Sequence, residues 1–162
     1  MEVNLNRISE YGFEVSRGDV TVGVSFHTNA WTYRFYVRLN RQYGLYCEHS
    51  DTVDRLVNSL LSGDRWSMAV FELASLFNYR TSKEHIELMF NGDSLDKRVS
   101  ERRLLNGLWI SVMLKEDVSM AKEVLSIMRK YADVLDEKLY RDYARRFSEV
   151  ETHIIAKRLR GK

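Results

Sequence analysis

A two-residue alternation of apolar side chains between Phe13 and Cys47 constrains this chain more than any other feature. Successive side chains point to opposite faces of a β-strand, so such alternation predicts strands with one apolar and one polar face. The apolar positions fall in two main runs: Val20, Val22, Val24 and Phe26, then Trp31, Tyr33, Phe35, Val37 and Leu39. Two long neighbouring strands are therefore expected.

Shorter apolar sets flank these runs. Phe13 and Val15 predict a preceding strand, and Tyr43, Leu45 and Cys47 predict a following one. The breaks between the runs are short enough for hairpins. The result is a four-stranded antiparallel meander, whose apolar face needs a covering layer. Residues 1–10 fit either an edge strand or a short lead-in.

Helical patterns that follow the meander predict the covering layer. Ser50 and Asp51 are typical N-cap residues, and apolar residues then recur at helical spacing as far as Gly63. A second helix is predicted from Asp64. The segment from Thr81 to Glu84 matches a capping box, which predicts the start of a third helix.

The second half of the chain is also predicted to be helical. Residues 94–115 fit a buried helix, and Asn106-Gly107 between apolar runs also matches a tight hairpin; we favour the helix. Residues 117–160 contain no Gly and no Pro, which predicts one long helix or a helix pair. We expect a bend near Tyr131 and a helix cap at Asp133.

These patterns together predict an α+β protein. Its N-terminal four-stranded antiparallel meander is packed by helices and is followed by a helical C-terminal half, which ends in a long helix or a helix pair. We expect an α+β domain over residues 1–116, with the meander at 11–49 and helices at 50–115. Residues 117–162 are expected to form a helical segment with a basic tail, packed on the same domain.

Composition narrows the classes of function. The single cysteine, Cys47, excludes an internal disulfide and a zinc site of paired thiolates. No apolar stretch approaches the ~20 residues of a membrane span, and the N-terminal residues lack the pattern of a signal peptide. A cytoplasmic protein without membrane association is therefore expected. The eight glycines are scattered, with no phosphate-binding loop, so no cofactor is expected.

The polar face of the predicted sheet is the first candidate site. Arg34, Tyr36 and Arg38 fall on one face of a strand, and Tyr46 joins them from the next strand. Aromatic rings among arginines on an open sheet suit the stacking of bases and the binding of phosphates. The alternative is that these residues are ordinary cross-strand partners on a solvated face.

The basic tail is the second candidate site. Lys157, Arg158, Arg160 and Lys162 could contact phosphates or an acidic partner. Cations also stabilise the C-terminal end of a helix dipole, which is an equally good explanation.

The third candidate is an apolar stripe near the C-terminus. It consists of Leu135, Leu139, Tyr143, Phe147, Val150 and Ile154. Such a stripe predicts a helix interface, either with the same helix of a second copy or with a target helix. The favoured alternative is packing against helices of the same chain.

Reactive side chains are sparse. Cys47 and His49 share one strand face if the strand extends that far, and a thiolate beside a histidine can act as a nucleophile. Cys47 also falls on the core face, where a cysteine behaves as a small apolar residue, and we favour that explanation. The other histidines have no neighbour at metal-ligand spacing, so neither a metal site nor an enzyme is expected.

The sequence therefore predicts a non-enzymatic binding protein that acts through protein–protein contacts. A regulator or inhibitor of a larger complex, encoded by a phage or another mobile element, is compatible with this reading. The first alternative is a nucleic-acid-binding protein that uses the sheet face and the basic tail. The second is an enzyme with a site at Cys47 and His49. A homo-oligomer formed through the C-terminal helix is a further hypothesis.

Overall fold

A computed structural model describes residues 4–9, 12–27, 32–39, 42–47, 50–91 and 96–161 of the chain. By their internal contacts, the residues divide into two units, Met1–Asp93 and Ser94–Lys162. We call the first the sheet unit and the second the helical unit. The predicted division near Glu116 corresponds to the turn between two helices of the helical unit.

The sheet unit contains a five-stranded antiparallel meander with the strand order of the sequence. Its strands are β1 (Asn4–Ser9), β2 (Gly12–Arg17), β3 (Val20–His27), β4 (Thr32–Leu39) and β5 (Tyr43–Cys47). Strands β2 to β5 are the four predicted ones, and β1 decides the open choice at residues 1–10 in favour of an edge strand. The predicted α+β class is confirmed.

Burial on one face sets the register of the central strands. Val20 lies opposite Leu39 and Val22 opposite Val37, and all four side chains are buried. A shift by one residue would move them to the polar face, so this register is strongly preferred. The hairpin between β2 and β3 turns through Gly18, whose φ of 60° lies in the left-handed region that favours glycine.

The sheet unit also contains three helices. They are α1 (Asp51–Leu61), α2 (Arg65–Ala74) and α3 (Tyr79–Phe90). The Ser50 hydroxyl accepts the Val53 N–H at the start of α1, as predicted for an N-cap. Helix α1 packs against β3 and α3 against β5, which confirms that helices cover the meander.

The predicted start of the third helix is wrong by one turn. Helix α3 begins at Tyr79, because Asn78 is the N-cap and its side chain accepts the Thr81 N–H at 3.0 Å. Thr81 and Glu84 therefore lie inside the helix, and Glu84 pairs with Arg80 at 3.7 Å. Asn78 is also a residue type that suits an N-cap, and it lies three positions before Thr81.

Four helices form the helical unit. They are α4 (Lys97–Lys115), α5 (Val118–Lys130), α6 (Glu137–Ser148) and α7 (Val150–Arg160). Asn106 and Gly107 lie within α4, so the favoured helix is confirmed over the hairpin. Its core face buries Leu104, Leu108 and Val112.

The chain ends in the helix pair α6 and α7, and the predicted bend near Tyr131 is confirmed. Residues 117–160 form three helices, α5 to α7, and not the predicted one or two, because a second break at Glu149 separates α6 from α7. Helix α5 ends at Lys130, with Tyr131 as its buried C-cap. The next helix is capped by Asp136, which accepts the Leu139 N–H at 3.1 Å, and not by Asp133. The buried Glu101 of α4 accepts the Asp136 N–H at 2.9 Å and so ties the start of α6 to α4.

Candidate interaction surfaces

The polar face of the sheet is organised around Tyr36. This residue lies on β4 opposite Gly23 of β3. A Cβ atom added to Gly23 would lie only 1.9 Å from Cε1 of the Tyr36 ring. The ring therefore occupies the space that a side chain at position 23 would need, and it buries Gly23.

Two polar contacts hold this arrangement across three strands. The Tyr36 hydroxyl donates a hydrogen bond to the Glu14 carboxylate of β2. Nη2 of Arg38 lies 3.8 Å from the same carboxylate. Tyr36 and Arg38 therefore act as cross-strand partners, which was the alternative explanation for this candidate site.

Backbone register gives the positions of Arg34 and Tyr46, the other two residues predicted on the polar face of the sheet. Arg34 lies opposite Ser25, and Tyr46 lies opposite Tyr36. The description of the structure does not extend to the side chains of Arg34 and Tyr46. Their predicted roles stay predictions.

The basic tail contributes to the packing of α7. Nζ of Lys157 donates to the Met113 carbonyl oxygen at 2.8 Å, and Arg158 forms an ion pair with Glu116, the C-cap of α4. The hydrogen bond from Arg158 lowers the pKa of the Glu116 carboxyl and raises the pKa of the Arg158 guanidinium. Arg160 is exposed, and Lys162 lies outside the described residues.

The six residues of the predicted helix interface are all buried in the helical unit: Leu135, Leu139, Tyr143, Phe147, Val150 and Ile154. The Trp109 ring of α4 packs edge-on against Phe147, with 5.4 Å between ring centroids. This burial supports the explanation that the stripe packs against helices of its own chain.

The hypothetical reactive pair lies where the structure gives no side-chain contacts. Cys47 ends β5 opposite Phe35, and its side chain, like the whole of His49, lies outside the described part. His85 stacks on Phe77 at 4.8 Å, and its partial burial lowers its pKa. Within the ranges that the structure describes, no group of three or more side chains is placed to hold a metal ion.

Exposed apolar pairs on two helices form surfaces that the sequence did not indicate. Ile110 and Leu114 of α4 are 50% and 73% exposed, and Ile155 and Leu159 of α7 are 57% and 65% exposed. Residues four apart lie on the same side of a helix, so each pair forms a small apolar surface. Apolar residues occur all around α4, which explains why periodicity alone could not separate its buried and exposed sides.

Helix α4 is also the most basic element of the helical unit. It carries Lys97, Arg98, Arg102, Arg103 and Lys115, all exposed, and its single acidic residue is buried. The helical unit has sixteen Lys and Arg against eleven Asp and Glu, a net charge of +5. The sheet unit has nine against twelve, a net charge of −3. The overall charge of +2 conceals this asymmetry.

A cleft of about 650 Å³ opens between the N-terminal half of α4 and helix α6. Its charged lining comes from both helices and from the residues that cap them, and it includes Arg102 and Lys138. The cleft lies wholly within the helical unit.

The described helices do not include one that is long and apolar enough to cross a membrane. Comparison of the chain with protein-family models, with curated proteins and with solved structures gives no significant match.

Proposed function

We propose that this protein is a non-enzymatic binding protein, which acts by contact with another protein and regulates or inhibits a larger complex. The observation that carries this proposal is the exposed apolar surface of α4. Leu114 is 73% exposed and Ile110 is 50% exposed, one turn apart on the same helix. The opposite side of α4 already packs in the core, so this surface is additional to what folding requires.

Burial of this apolar surface favours a protein partner. Burying a Leu or Ile side chain contributes about 1.5–3 kcal/mol. A partner that covers both side chains gains this energy only if it presents apolar groups of its own. The sugar-phosphate backbone of a nucleic acid offers little apolar surface, so such contacts add little there.

Charge specifies the partner further. Arg103 lies seven residues before Ile110, on the same side of α4, and Lys115 follows Leu114 directly. Arg103 therefore lies on the same side of the helix as the apolar pair, and Lys115 lies beside that side. The complementary surface is an apolar patch bordered by Asp or Glu side chains, and opposite charges at the rim increase the association rate and the specificity.

Affinity capture tests the proposal. The tagged full chain is compared with an Ile110→Gln/Leu114→Gln variant, because Gln removes the apolar surface and is a good helix former. Leu88→Gln on α3 is the matched control, since Leu88 is also exposed, at 41%, but lies in the sheet unit. We expect a protein captured from the native cells to be lost with the double variant and retained with the control.

Capture alone is not sufficient, so binding is repeated with the purified partner. Direct titration should show the same loss for the double variant. The proposal is wrong if no captured protein distinguishes the double variant from the control.

Nucleic-acid binding is the alternative function. The two surfaces predicted for it, the polar face of the sheet and the basic tail, use several of their cations in contacts within the protein. Tyr36 and Arg38 contact Glu14, and Lys157 and Arg158 contact α4. A gel-shift assay with DNA and RNA at low salt tests it, with binding that falls steeply as salt rises. For the enzyme alternative, full biological activity of a Cys47→Ala variant would remove the main support.

A further inference from the structure

The cleft between α4 and α6 collects cations from two helices. Arg98 and Arg102 of α4 line it together with Lys138 and Arg146 of α6. Its volume of about 650 Å³ falls within the range of sites that hold small organic ligands. The cleft therefore has both the space and the charge for an anionic ligand.

The cations of α4 are placed against the stability of their own helix. The first turn of α4 contains no acidic residue, and Lys97 and Arg98 lie there, near the positive end of the helix dipole. Arg98 and Arg102 are four apart, a spacing at which like charges repel. Asp96 at the N-cap offsets the charge of Arg98, but helix stability does not explain a second arginine at position 102, and local rules of this kind are most often broken at functional sites.

Carboxylates also line the cleft, and two of the three serve the helix ends. Oδ1 of Asp96 accepts the Arg98 N–H at 2.9 Å, and Oδ2 of Asp136 accepts the Leu139 N–H at 3.1 Å. Asp96 also lies 3.5 Å from the Arg98 guanidinium. The third carboxylate, Asp142, is exposed on α6.

Two of the four cations, Arg102 and Lys138, are held by neither an ion pair nor an aromatic ring in the described parts of the chain, and these two remain available to a ligand. The Arg146 guanidinium lies over the Tyr143 ring, 4.8 Å from its centroid, which fixes its position at the cleft without neutralising its charge.

We propose that this cleft binds a phosphate group, carried by a small phosphate ester or by a nucleic acid. Guanidinium groups bind phosphate through two parallel N–H donors. A terminal phosphate also has several oxygens that point in different directions, which suits cations that approach from two helices. A planar carboxylate group can contact fewer of these cations at once. It also competes poorly for them with the three carboxylates that already line the cleft.

Calorimetric titration of the full chain at low salt tests the proposal with four probes. Pyrophosphate and ATP represent small phosphate compounds, a twelve-nucleotide single strand represents nucleic acid, and citrate is a carboxylate of comparable charge. We expect at least one phosphate probe to bind more tightly than citrate. Tighter binding of pyrophosphate or ATP assigns a small phosphate compound, and tighter binding of the oligonucleotide assigns a nucleic acid.

A pair of double variants separates the cleft from general charge. Arg102→Gln/Lys138→Gln removes the two available cations of the cleft, whereas Lys122→Gln/Arg129→Gln removes two exposed cations of α5. The cleft variant should weaken phosphate binding by about tenfold or more, and the control by no more than about twofold. The proposal is overturned if no phosphate probe binds, if citrate binds as tightly, or if both variants lose affinity equally.

Thermal unfolding of Arg102→Gln supplies a second readout. Removing a cation that repels Arg98 should raise the melting temperature of the unliganded protein while it weakens binding. A residue with a structural role would show the opposite sign. A lowered melting temperature would therefore contradict the argument that these cations are retained for a ligand.

Discussion

The contact between Tyr36 and Gly23 supports the sharpest prediction for the sheet. A Gly23→Ala substitution would place a Cβ atom 1.9 Å from Cε1 and 2.0 Å from Cζ of the Tyr36 ring, so the ring must move away. Overpacking of this kind costs about 1–3 kcal/mol. Loss of the Tyr36 hydrogen bond to Glu14 adds about 1 kcal/mol.

Gly23→Ala should instead increase the free energy of unfolding when the Tyr36 ring is absent. In a Tyr36→Ser background the added methyl group meets no ring, and replacing glycine within a strand stabilises by about 0.5–1 kcal/mol. The double-mutant cycle over Gly23 and Tyr36 should thus give a coupling energy of about 2.5–5 kcal/mol, the difference between the two effects of Gly23→Ala.

Urea unfolding of the four proteins measures this coupling. Hydrogen exchange of β3 and β4 amides is followed in parallel, because it reports opening of the sheet separately from the helical unit. An equal cost of Gly23→Ala in both backgrounds would refute the reasoning, since the ring would then not occupy the space above Gly23.

Three further predictions concern single side chains. Phe147→Ala should lower the free energy of unfolding by about 3–5 kcal/mol because it removes a buried ring, and the molar mass measured by light scattering should stay the same. A changed molar mass with an intact fold would instead indicate that Phe147 lies at an interface between molecules. Glu116 has a φ of 51°, so Glu116→Gly should be more stable than Glu116→Ala by about 1 kcal/mol in urea unfolding. Burial lowers the pKa of His85 below its ordinary value of 6.5, so the unfolded state takes up the proton first and stability should fall as the pH drops below 6.5, levelling off below the lowered pKa. His85→Phe keeps a ring against Phe77 and should flatten that slope between pH 5 and 7; an unchanged slope would assign the effect to other groups.

Strands β2 to β5 could be predicted because one face of each is apolar and the residues alternate. Strand β1 shows how that pattern can be lost. Its register shifts between Arg7 and Ser9. A bulge of this kind adds a residue to one strand and interrupts the two-residue period. Leu5 and Ile8 accordingly fall on opposite parities, and the alternation that identified the other strands is lost.

The choice of α3 cap illustrates a different limit. Asn78 and Thr81 both suit the N-cap position, and they are only three positions apart. Local hydrogen bonding cannot distinguish the two sites, because each satisfies an amide of the first turn. The structure uses Asn78, whose side chain accepts the Thr81 N–H at 3.0 Å.

The basic character of α4 is hard to predict from the sequence because the net charge of a segment depends on where the chain is divided. Counted over residues 51–116, nine basic and ten acidic side chains nearly cancel. The division between Asp93 and Ser94 moves the cations of α4 into the helical unit, where they belong to a net charge of +5. A surface of this kind becomes visible only when the units are known.

Helix α4 shows how one element can serve both the fold and two binding surfaces. Packing uses the side that bears Leu104, Leu108 and Val112. Tertiary burial supplies most of the stability of such a helix, so its remaining sides are under little constraint from folding. They carry the exposed Ile110 and the cleft residue Arg102, neither of which the core requires. Substitutions on the two outer sides should therefore change binding and leave folding intact, whereas substitutions on the core side should do the reverse.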